Sequence, residues 1–213
     1  MPEAPEVWIL SQAINAYYNY EKTHCYGKHL IVYDNENKRS GEDWSFGLNG
    51  KVKICDEDNS LVKLDSGWIN GEKVSFNNDS EPIIYHGINW LMCDEDLLRK
   101  EVDTWIKSKK KLAGLMLDQS RIAGIGVAWG SEILFHAGLR PDMKVCDQNI
   151  KGLADSMLHI REKIKELYKE ELNKCNDKKT FINEWFDNLY QIRDMCVYKK
   201  GSKVEVLGRS WWV

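Results

Sequence analysis

The spacing of apolar residues changes at about residue 93, and this change restricts the fold more than any other feature of the chain. Before it, short apolar runs such as 28–33 and 51–55 alternate with clusters of Asn, Asp and Gly, which is typical of antiparallel strands joined by turns. A helical pattern over 6–20 precedes these strands. After residue 93, apolar residues recur every three or four positions, as in amphipathic helices. The sequence therefore predicts an α+β fold with two domains, a β lobe at 1–92 and a helical lobe at 93–213.

The second lobe is predicted to contain several helices and a terminal hairpin. The acidic residues 94–96 stand where a helix N-terminus favours negative charge. A long amphipathic helix is predicted at about 149–172 and another at 180–191. The last stretch, about 195–213, returns to strand chemistry, with residues 196–198 predicted as part of a strand.

The charge of the whole chain does not indicate a nucleic-acid partner, because the net charge is −3 at pH 7. The charge is unevenly distributed, however: residues 1–92 carry 14 acidic against 8 basic residues, and a basic segment lies at 107–121. The six cysteines contain no Cys-x-x-Cys pair, and no apolar run reaches the 18 or so residues that a membrane span requires. We therefore expect an intracellular protein, in the cytoplasm or nucleus, with free thiols.

The chain begins with a candidate nucleophile. Removal of Met1 would leave Pro2 with a free secondary amine beside the carboxylate of Glu3. An α-amino group with a pKa of about 8 is roughly one-tenth neutral at pH 7, whereas an ordinary lysine is almost entirely protonated. Pro2 could therefore form a Schiff base without the burial that lysine needs. The alternative interpretation is an ordinary N-terminus made rigid by proline.

A glycine-containing segment, 117–141, is the second candidate functional site. Gly124 and Gly126 are spaced as in a dinucleotide-binding loop, but the segment before them is predicted as helix rather than as the strand that such a loop follows. A turn between two helices, in which glycines let the backbone approach a phosphate, suits the pattern better.

Three blocks in register carry a family resemblance: residues 1–6 (MPEAPE), the segment 117–141, and residues 208–210 (GRS). Together they resemble the formamidopyrimidine-DNA glycosylase and endonuclease VIII family of base-excision repair enzymes. The resemblance implies a β-sandwich catalytic domain with an opening helix, then a helix-two-turn-helix domain ending in a finger hairpin. It also implies a bifunctional DNA glycosylase and AP lyase that acts on oxidised bases and cleaves the strand by β- or β,δ-elimination.

The same resemblance implies roles for individual residues. Pro2 matches the family's nucleophile and Glu3 its acid-base carboxylate. Lys28 matches a lysine that contacts phosphate and assists catalysis, and Arg209 matches an arginine that holds the phosphate beside the lesion. Leu48, in a Gly-x-x-Gly turn, would fill the gap that a flipped nucleotide leaves. The DNA-binding residues implied are Leu48, Lys111, Arg121, Gly124, Gly126, Glu132 and Lys203.

The finger resembles one of the two forms found in the family, and the chain departs from the family pattern at the helix turn and in having no match for the Asp-x-Arg segment that supplies an intercalating side chain. Cys196 is the sole cysteine after residue 175, so four thiolates cannot gather there, and the sequence resembles the branch with a zincless finger. We expect no metal and no organic cofactor. Val127 stands where the family has an asparagine that binds backbone phosphate.

Damaged DNA, with an oxidised base or an abasic site, is the expected partner of a monomeric protein. The alternative is a non-catalytic protein that binds damaged DNA or abasic sites and retains the fold. An enzyme dependent on a nucleotide cofactor is a more distant alternative. The preferred lesion and the elimination product stay open.

Overall fold

A computed structural model describes most of the chain, namely residues 3–18, 23–26, 28–32, 42–45, 51–55, 61–69, 72–74, 87–183 and 195–213. Pro2, Leu48 and the strand predicted at 83–85 lie outside these ranges. The chain divides into two packing units, one of Met1–Ile84 with Glu166–Arg193 and one of Tyr85–Lys165 with Asp194–Val213. The units are therefore interleaved in sequence. The predicted domains, 1–92 and 93–213, stay a prediction about domain organisation.

The first unit begins with helix α1, Ala4–Tyr18. Its first turn contains Pro5, which is tolerated there because the first N–H groups of a helix have no partner within the helix. Ile9, Leu10 and Ile14 are fully buried, so α1 is a core element. The sequence predicted the start of this helix two residues too late, at residue 6, and residues 19 and 20 of the predicted helix lie outside the described ranges.

Six strands of the first unit form one antiparallel sheet in the order β1-β2-β3-β5-β4, with β6 paired to β5. The long strand β5 pairs with three neighbours, and a register shift at Lys51 and Val52 bends its pairing with β4. The predicted antiparallel strands are present as this sheet, whereas the β lobe at 1–92 and its two-layer sandwich stay predictions. The strands are β1 Thr23–Tyr26, β2 His29–Val32, β3 Glu42–Ser45, β4 Lys51–Cys55, β5 Leu61–Ile69 and β6 Glu72–Val74.

The second unit consists mainly of helices around a core of tryptophans. The side chains of Trp90, Trp105 and Trp211 are buried, as is Leu98. Helix α2 starts as predicted, because the Asp94 carboxylate accepts a hydrogen bond from the backbone N–H of Asp96 at 2.9 Å. The elements in chain order are β7 Ile88–Asn89, α2 Glu95–Asp103, α3 Leu112–Met116, β8 Ile122–Ala123, α4 Val127–His136, a short 3-10 turn Val145–Asp147, α5 Leu153–Lys174, β9 Lys203–Val206 and β10 Arg209–Trp212.

Helix α5 contributes residues to both units, and helix α6, Lys178–Asn183, completes the first unit beside α1 and β4. The long helix predicted at 149–172 is confirmed with slightly later ends. The helix predicted at 180–191 is confirmed as far as Asn183, where the described range ends. No helix in the described ranges is long and apolar enough to cross a membrane.

The terminal hairpin is confirmed, but its strands are β9 and β10 alone. The prediction of a strand at 196–198 is wrong, since these residues form bends and a turn. The backbone N–H groups of Cys196, Val197 and Tyr198 all donate to the carboxylate of Glu132, so they are not available to a strand ladder.

Candidate functional site

The N-terminal end of α1 is organised by a buried carboxylate, Glu6. Its Oε2 accepts the backbone N–H of Glu3 at 2.7 Å, and its Oε1 accepts the hydroxyl of Tyr168 at 3.3 Å. Glu6 is the third helical residue, so this contact is the glutamate half of a capping box. Glu3 is only 4% exposed. The residue that follows Pro2 therefore has a fixed backbone position at the start of the helix.

Strand β1 runs antiparallel to α1 and ends beside its first turn. At the start of the strand, the Thr23 carbonyl accepts hydrogen bonds from Ser11 and Asn15. Two residues later, the Cys25 thiol donates to the Ala4 carbonyl at 3.6 Å. The strand therefore advances from the middle of α1 towards its N-terminal end.

Lys28 is a turn residue that directly precedes His29, the residue of β2 that pairs with Tyr26 of β1. The direction of β1 brings this turn to the N-terminal end of α1. Lys28 is 6% exposed, which is unusual for lysine and shows that the turn packs against the protein. The structure thus brings Glu3 and Lys28, two of the four predicted catalytic residues, to the same end of one helix.

The Cys25 thiol lies in the same region, and its surroundings keep it protonated. Burial raises the pKa of Cys25, and the negative charge of Glu6 raises this pKa further. Because the thiolate is the nucleophilic form of cysteine, Cys25 does not compete as a nucleophile at this end of α1.

The glycine-containing turn is confirmed as a connection between two helices, α3 and α4. Gly124 has φ +97°, a conformation that requires glycine, whereas Gly126 is extended. The Gln119 side chain holds the turn together: its Nε2 donates to the Ile125 carbonyl at 2.9 Å, and its Oε1 accepts the N–H of Gly124 at 2.8 Å. The sequence interpretation did not single out Gln119, although a long amide just before a glycine turn is a usable signal.

A second residue that the sequence interpretation missed is Gly87. Its N–H donates to the Gln119 carbonyl at 3.1 Å, and strand β7 continues in parallel pairing with β8. A Cβ at Gly87 would lie 2.5 Å from the carbonyl carbon of Arg121. Only glycine at position 87 lets the backbone before β7 pack this closely against residues 119–121, which precede the glycine turn.

The predicted DNA-binding cations Arg121 and Lys111 differ in their surroundings. Arg121 Nη1 lies 3.1 Å from the Glu101 carboxylate and its Nε 3.8 Å from that of Asp118, so its charge is already paired within the protein. Lys111 is exposed at the start of α3. A phosphate at Arg121 would have to compete with two ion-paired acids, whereas Lys111 forms no ion pair with a residue in the described ranges and interacts with Asp142 only at longer range.

Glu132 on α4 anchors the terminal segment. Its buried carboxylate accepts three backbone N–H groups of residues 196–198 at 2.7–2.8 Å. The neighbouring Ser131 hydroxyl accepts the N–H of Trp212 at 3.2 Å. Glu132, predicted to bind DNA, therefore directs its carboxylate at the protein's own backbone and positions the hairpin.

Arg209 is exposed and starts strand β10 directly after a two-residue turn. The turn residues Leu207 and Gly208 both have positive φ, +54° and +69°, the pattern of a type I′ hairpin turn. Leu207 Cδ1 lies 3.4 Å from where a Cβ on Gly114 would be, so the hairpin tip packs against α3, which follows Lys111. The structure therefore brings Arg209 and Lys111 into one region of the second unit.

Lys203 lies at the other end of the hairpin, opposite Trp212. Its ammonium is 2.8 Å from the Glu205 carboxylate. Hydrogen bonds from Lys203 and from the Ser210 hydroxyl lower the pKa of Glu205. Lys203, like Arg121, already has an acidic partner.

Comparisons with known proteins identify the fold. No family model matches the sequence, and no curated protein matches it. Among solved structures, the chain aligns over 99% of its length with Lactococcus lactis formamidopyrimidine-DNA glycosylase bound non-covalently to DNA containing an AP site, at 15% identity, a TM-score of 0.56 and 97% of that chain. The fold is that of a formamidopyrimidine-DNA glycosylase.

Two further structures give the same result. The MutM (Fpg) protein from Thermus thermophilus aligns with a TM-score of 0.58 and 15% identity over 99% of this chain and 96% of that one. The wild-type L. lactis enzyme in complex with DNA containing N7-benzyl-Fapy-dG aligns with a TM-score of 0.56 and 16% identity over 99% of this chain and 97% of that one. The predicted α+β class and its resemblance to the formamidopyrimidine-DNA glycosylase fold are thereby confirmed.

Proposed function

We propose that this protein is a base-excision repair enzyme, a DNA glycosylase with AP lyase activity that removes oxidised bases. The observation that carries the proposal is the arrangement at the start of α1, where the buried Glu3 and Lys28 lie at the helix end that Pro2 precedes. The fold supports it, since solved structures with this fold include glycosylases bound to AP-site DNA. The partner is damaged DNA, bound by a monomer inside the cell, and no metal or cofactor takes part.

The chemistry proceeds through the N-terminal amine. The nitrogen lone pair of Pro2 forms a bond to the sugar C1′, the base departs with the electrons of the N-glycosidic bond and gains a proton, and the ring opens to an iminium. Glu3 donates and accepts protons during these steps. Loss of a C2′ proton then expels the 3′-phosphate, and water hydrolyses the iminium to release Pro2.

Positive side chains hold the DNA backbone during these steps. We assign phosphate contacts to Lys28 near the N-terminus and to Arg209 at the hairpin tip, whose guanidinium suits bidentate contact with phosphate oxygens. Lys111 adds a contact in the same region as Arg209, while Gly124 and Gly126 shape the turn. Glu132 acts indirectly by fixing the hairpin. Arg121 and Lys203 bind DNA only if a phosphate displaces their acidic partners, and Leu48 fills the space of the flipped nucleotide.

Borohydride trapping tests the nucleophile. The protein with Met1 removed, verified by mass spectrometry, should form a covalent adduct with DNA containing an abasic site. Pro2→Gly should trap far less, whereas Pro5→Ala, a matched proline change that leaves the amine in place, should trap as the wild type does. Glu3→Gln should slow cleavage by about 100-fold or more, as expected for loss of a general acid-base group. Equal trapping by Pro2→Gly would contradict the proposal.

The second candidate is a protein that binds abasic sites without cleaving DNA. Two observations favour it: Val127 begins α4 with no donor side chain, and Arg121 is paired with Glu101 and Asp118. This candidate predicts tight binding to abasic DNA with no trapped adduct and no strand cleavage. The same borohydride experiment, run beside a binding measurement, separates the two.

A further inference from the structure

Two segments of the second unit, each of which passes into a short helical turn, are joined by backbone hydrogen bonds around an isolated antiparallel bridge. Residues 108–113 and 141–146 exchange backbone hydrogen bonds, from Cys146 N–H to the Ser108 carbonyl at 3.0 Å, from Val145 N–H to that of Lys110 at 3.1 Å, and from Leu112 N–H to that of Met143 at 3.0 Å. At the centre of this pairing, Lys111 lies directly opposite Lys144. We call this element the lysine ribbon.

The lysine ribbon gathers several positive charges, and Asp142 is an acid close enough to interact with one of them, Lys111. Lys109, Lys110, Lys111 and Lys144 are all exposed, and none forms an ion pair with any residue in the described ranges. The acid closest in sequence to Lys144 is Asp142, which hydrogen-bonds to Arg140. The Arg140 guanidinium donates to its carboxylate through Nε and Nη2, each at 3.1 Å, and this hydrogen bonding lowers the pKa of Asp142, with a smaller contribution from the charge of Lys111.

Two like charges directly opposite each other on an antiparallel pair destabilise that pair. Three arginines of the same unit are paired with acids: Arg99 with Asp155, Arg121 with Glu101, and Arg161 with Glu95 and Glu162. Lys111 and Lys144 instead face another positive charge directly across a backbone pair. An anionic ligand that binds both ammonium groups would remove the repulsion.

The position of the lysine ribbon points to a polyanion rather than to a single small anion. Lys111 precedes α3, and Gly114 of α3 packs against Leu207 at the hairpin tip, two residues before Arg209. Positive side chains therefore extend from the ribbon to the hairpin tip. A regularly spaced row of phosphates matches such an extended surface, and lysines on flexible stems bind phosphates as point charges without reading bases.

We propose that Lys111 and Lys144 together bind neighbouring phosphates of the duplex DNA backbone, making the lysine ribbon a second, sequence-independent contact besides the lesion site. The identity of the polyanion rests on the proposed function, while the presence of an anion site rests on the opposed lysines alone. Lys144 thereby becomes a DNA-binding residue that the sequence interpretation did not include.

The salt dependence of binding tests this assignment. Binding of a 20-base-pair duplex, with and without a central abasic-site analogue, is measured against NaCl concentration. The ribbon variant is Lys111→Gln/Lys144→Gln. The control variant is Lys151→Gln/Lys163→Gln, which makes the same charge change at exposed lysines outside the ribbon. We expect the slope of log K against log [NaCl] to fall in magnitude by about two for the ribbon variant, with about 60-fold weaker binding at 0.1 M salt. The control should keep the wild-type slope and affinity to within about twofold.

A charge reversal separates anion binding from a purely structural role. Lys144→Glu would face Lys111 with an opposite charge, so the free protein should melt about 1–3 °C higher while its DNA affinity falls. An unchanged salt slope in the double variant would overturn the proposal, as would a slope change seen with single-stranded RNA and not with duplex DNA. Trapping and salt slope are independent readouts, so loss of trapping with an intact ribbon effect would contradict the proposed function alone.

Discussion

Cys25 and Glu6 show how neighbouring side chains determine which group can act at the start of α1. The thiol lies against the Ala4 carbonyl and near the buried Glu6 carboxylate, and both burial and that negative charge favour its protonated form. A protonated thiol is a poor nucleophile. The terminal amine proposed as the nucleophile therefore has no thiolate competitor in Cys25.

Thiol labelling gives a prediction at this scale. Iodoacetamide at pH 8 should modify the exposed Cys146 and Cys196 in the native protein, and Cys25 only after unfolding. Since folding raises the pKa of Cys25, its protonated form stabilises the fold below the unfolded pKa of about 8.5, and this contribution is lost as the pH rises above that value. Peptide mass spectrometry measures the labelling, and modification of native Cys25 as fast as Cys196 would contradict the assignment.

Single residues were predictable from sequence where their role is local. Asp94 was correctly expected near a helix start, and Gly124 was expected in a turn, because caps and turns depend on neighbours a few positions away. The part played by Glu132 was not predictable. Its partners, residues 196–198, are 64 to 66 positions away, and no spacing rule links them. Their β-branched and aromatic residues misleadingly favoured a strand.

The terminal hairpin packs closely against helix α4 because Gly130 has no side chain and leaves space for the indole ring of Trp211. A Cβ at Gly130 would lie 3.0 Å from Cζ3 and 3.2 Å from Cη2 of Trp211, which is fully buried. Glu132 and Ser131 add backbone contacts beside this one. The position of Arg209 therefore depends on helix α4 as much as on the hairpin itself.

A pair of glycine substitutions tests this packing. Gly130→Ala should lower the free energy of unfolding by about 1–3 kcal/mol, because the added methyl displaces the Trp211 ring and exceeds the gain in helix propensity. Gly152→Ala is the matched control, since nothing lies within 4 Å of its Cβ position. Urea denaturation measures both variants. Equal stability of the two would show that α4 accommodates the methyl without moving the hairpin.

At the scale of the whole molecule, the charge distribution explains how an acidic protein can be proposed to bind DNA. The net charge is −3, yet residues 93–213 carry three more basic than acidic residues. The sequence predicted this asymmetry and, through it, the basic segment at 107–121. The sequence could not predict that Arg121 forms an ion pair with Glu101 or that Lys144 lies opposite Lys111, because both facts arise from tertiary contacts.

Salt titration of undamaged duplex DNA binding tests the proposed phosphate contacts together. With about four contacts, from Lys28, Lys111, Lys144 and Arg209, affinity should fall about 150-fold between 50 and 200 mM NaCl. Fluorescence anisotropy with a labelled duplex measures the change. A decline of less than about tenfold would mean that fewer than two of these side chains bind phosphate.

The contact between Glu132 and residues 196–198 also bears on how the chain is synthesised. The carboxylate emerges from the ribosome more than 60 residues before the amides that it binds, so α4 can be complete while its partner segment is still being translated. Until then Glu132 and the surface around Gly130 stay open to solvent and to chaperones. A ribosome that stalls in this interval would hold a chain in which the Glu132 carboxylate still lacks these three backbone partners.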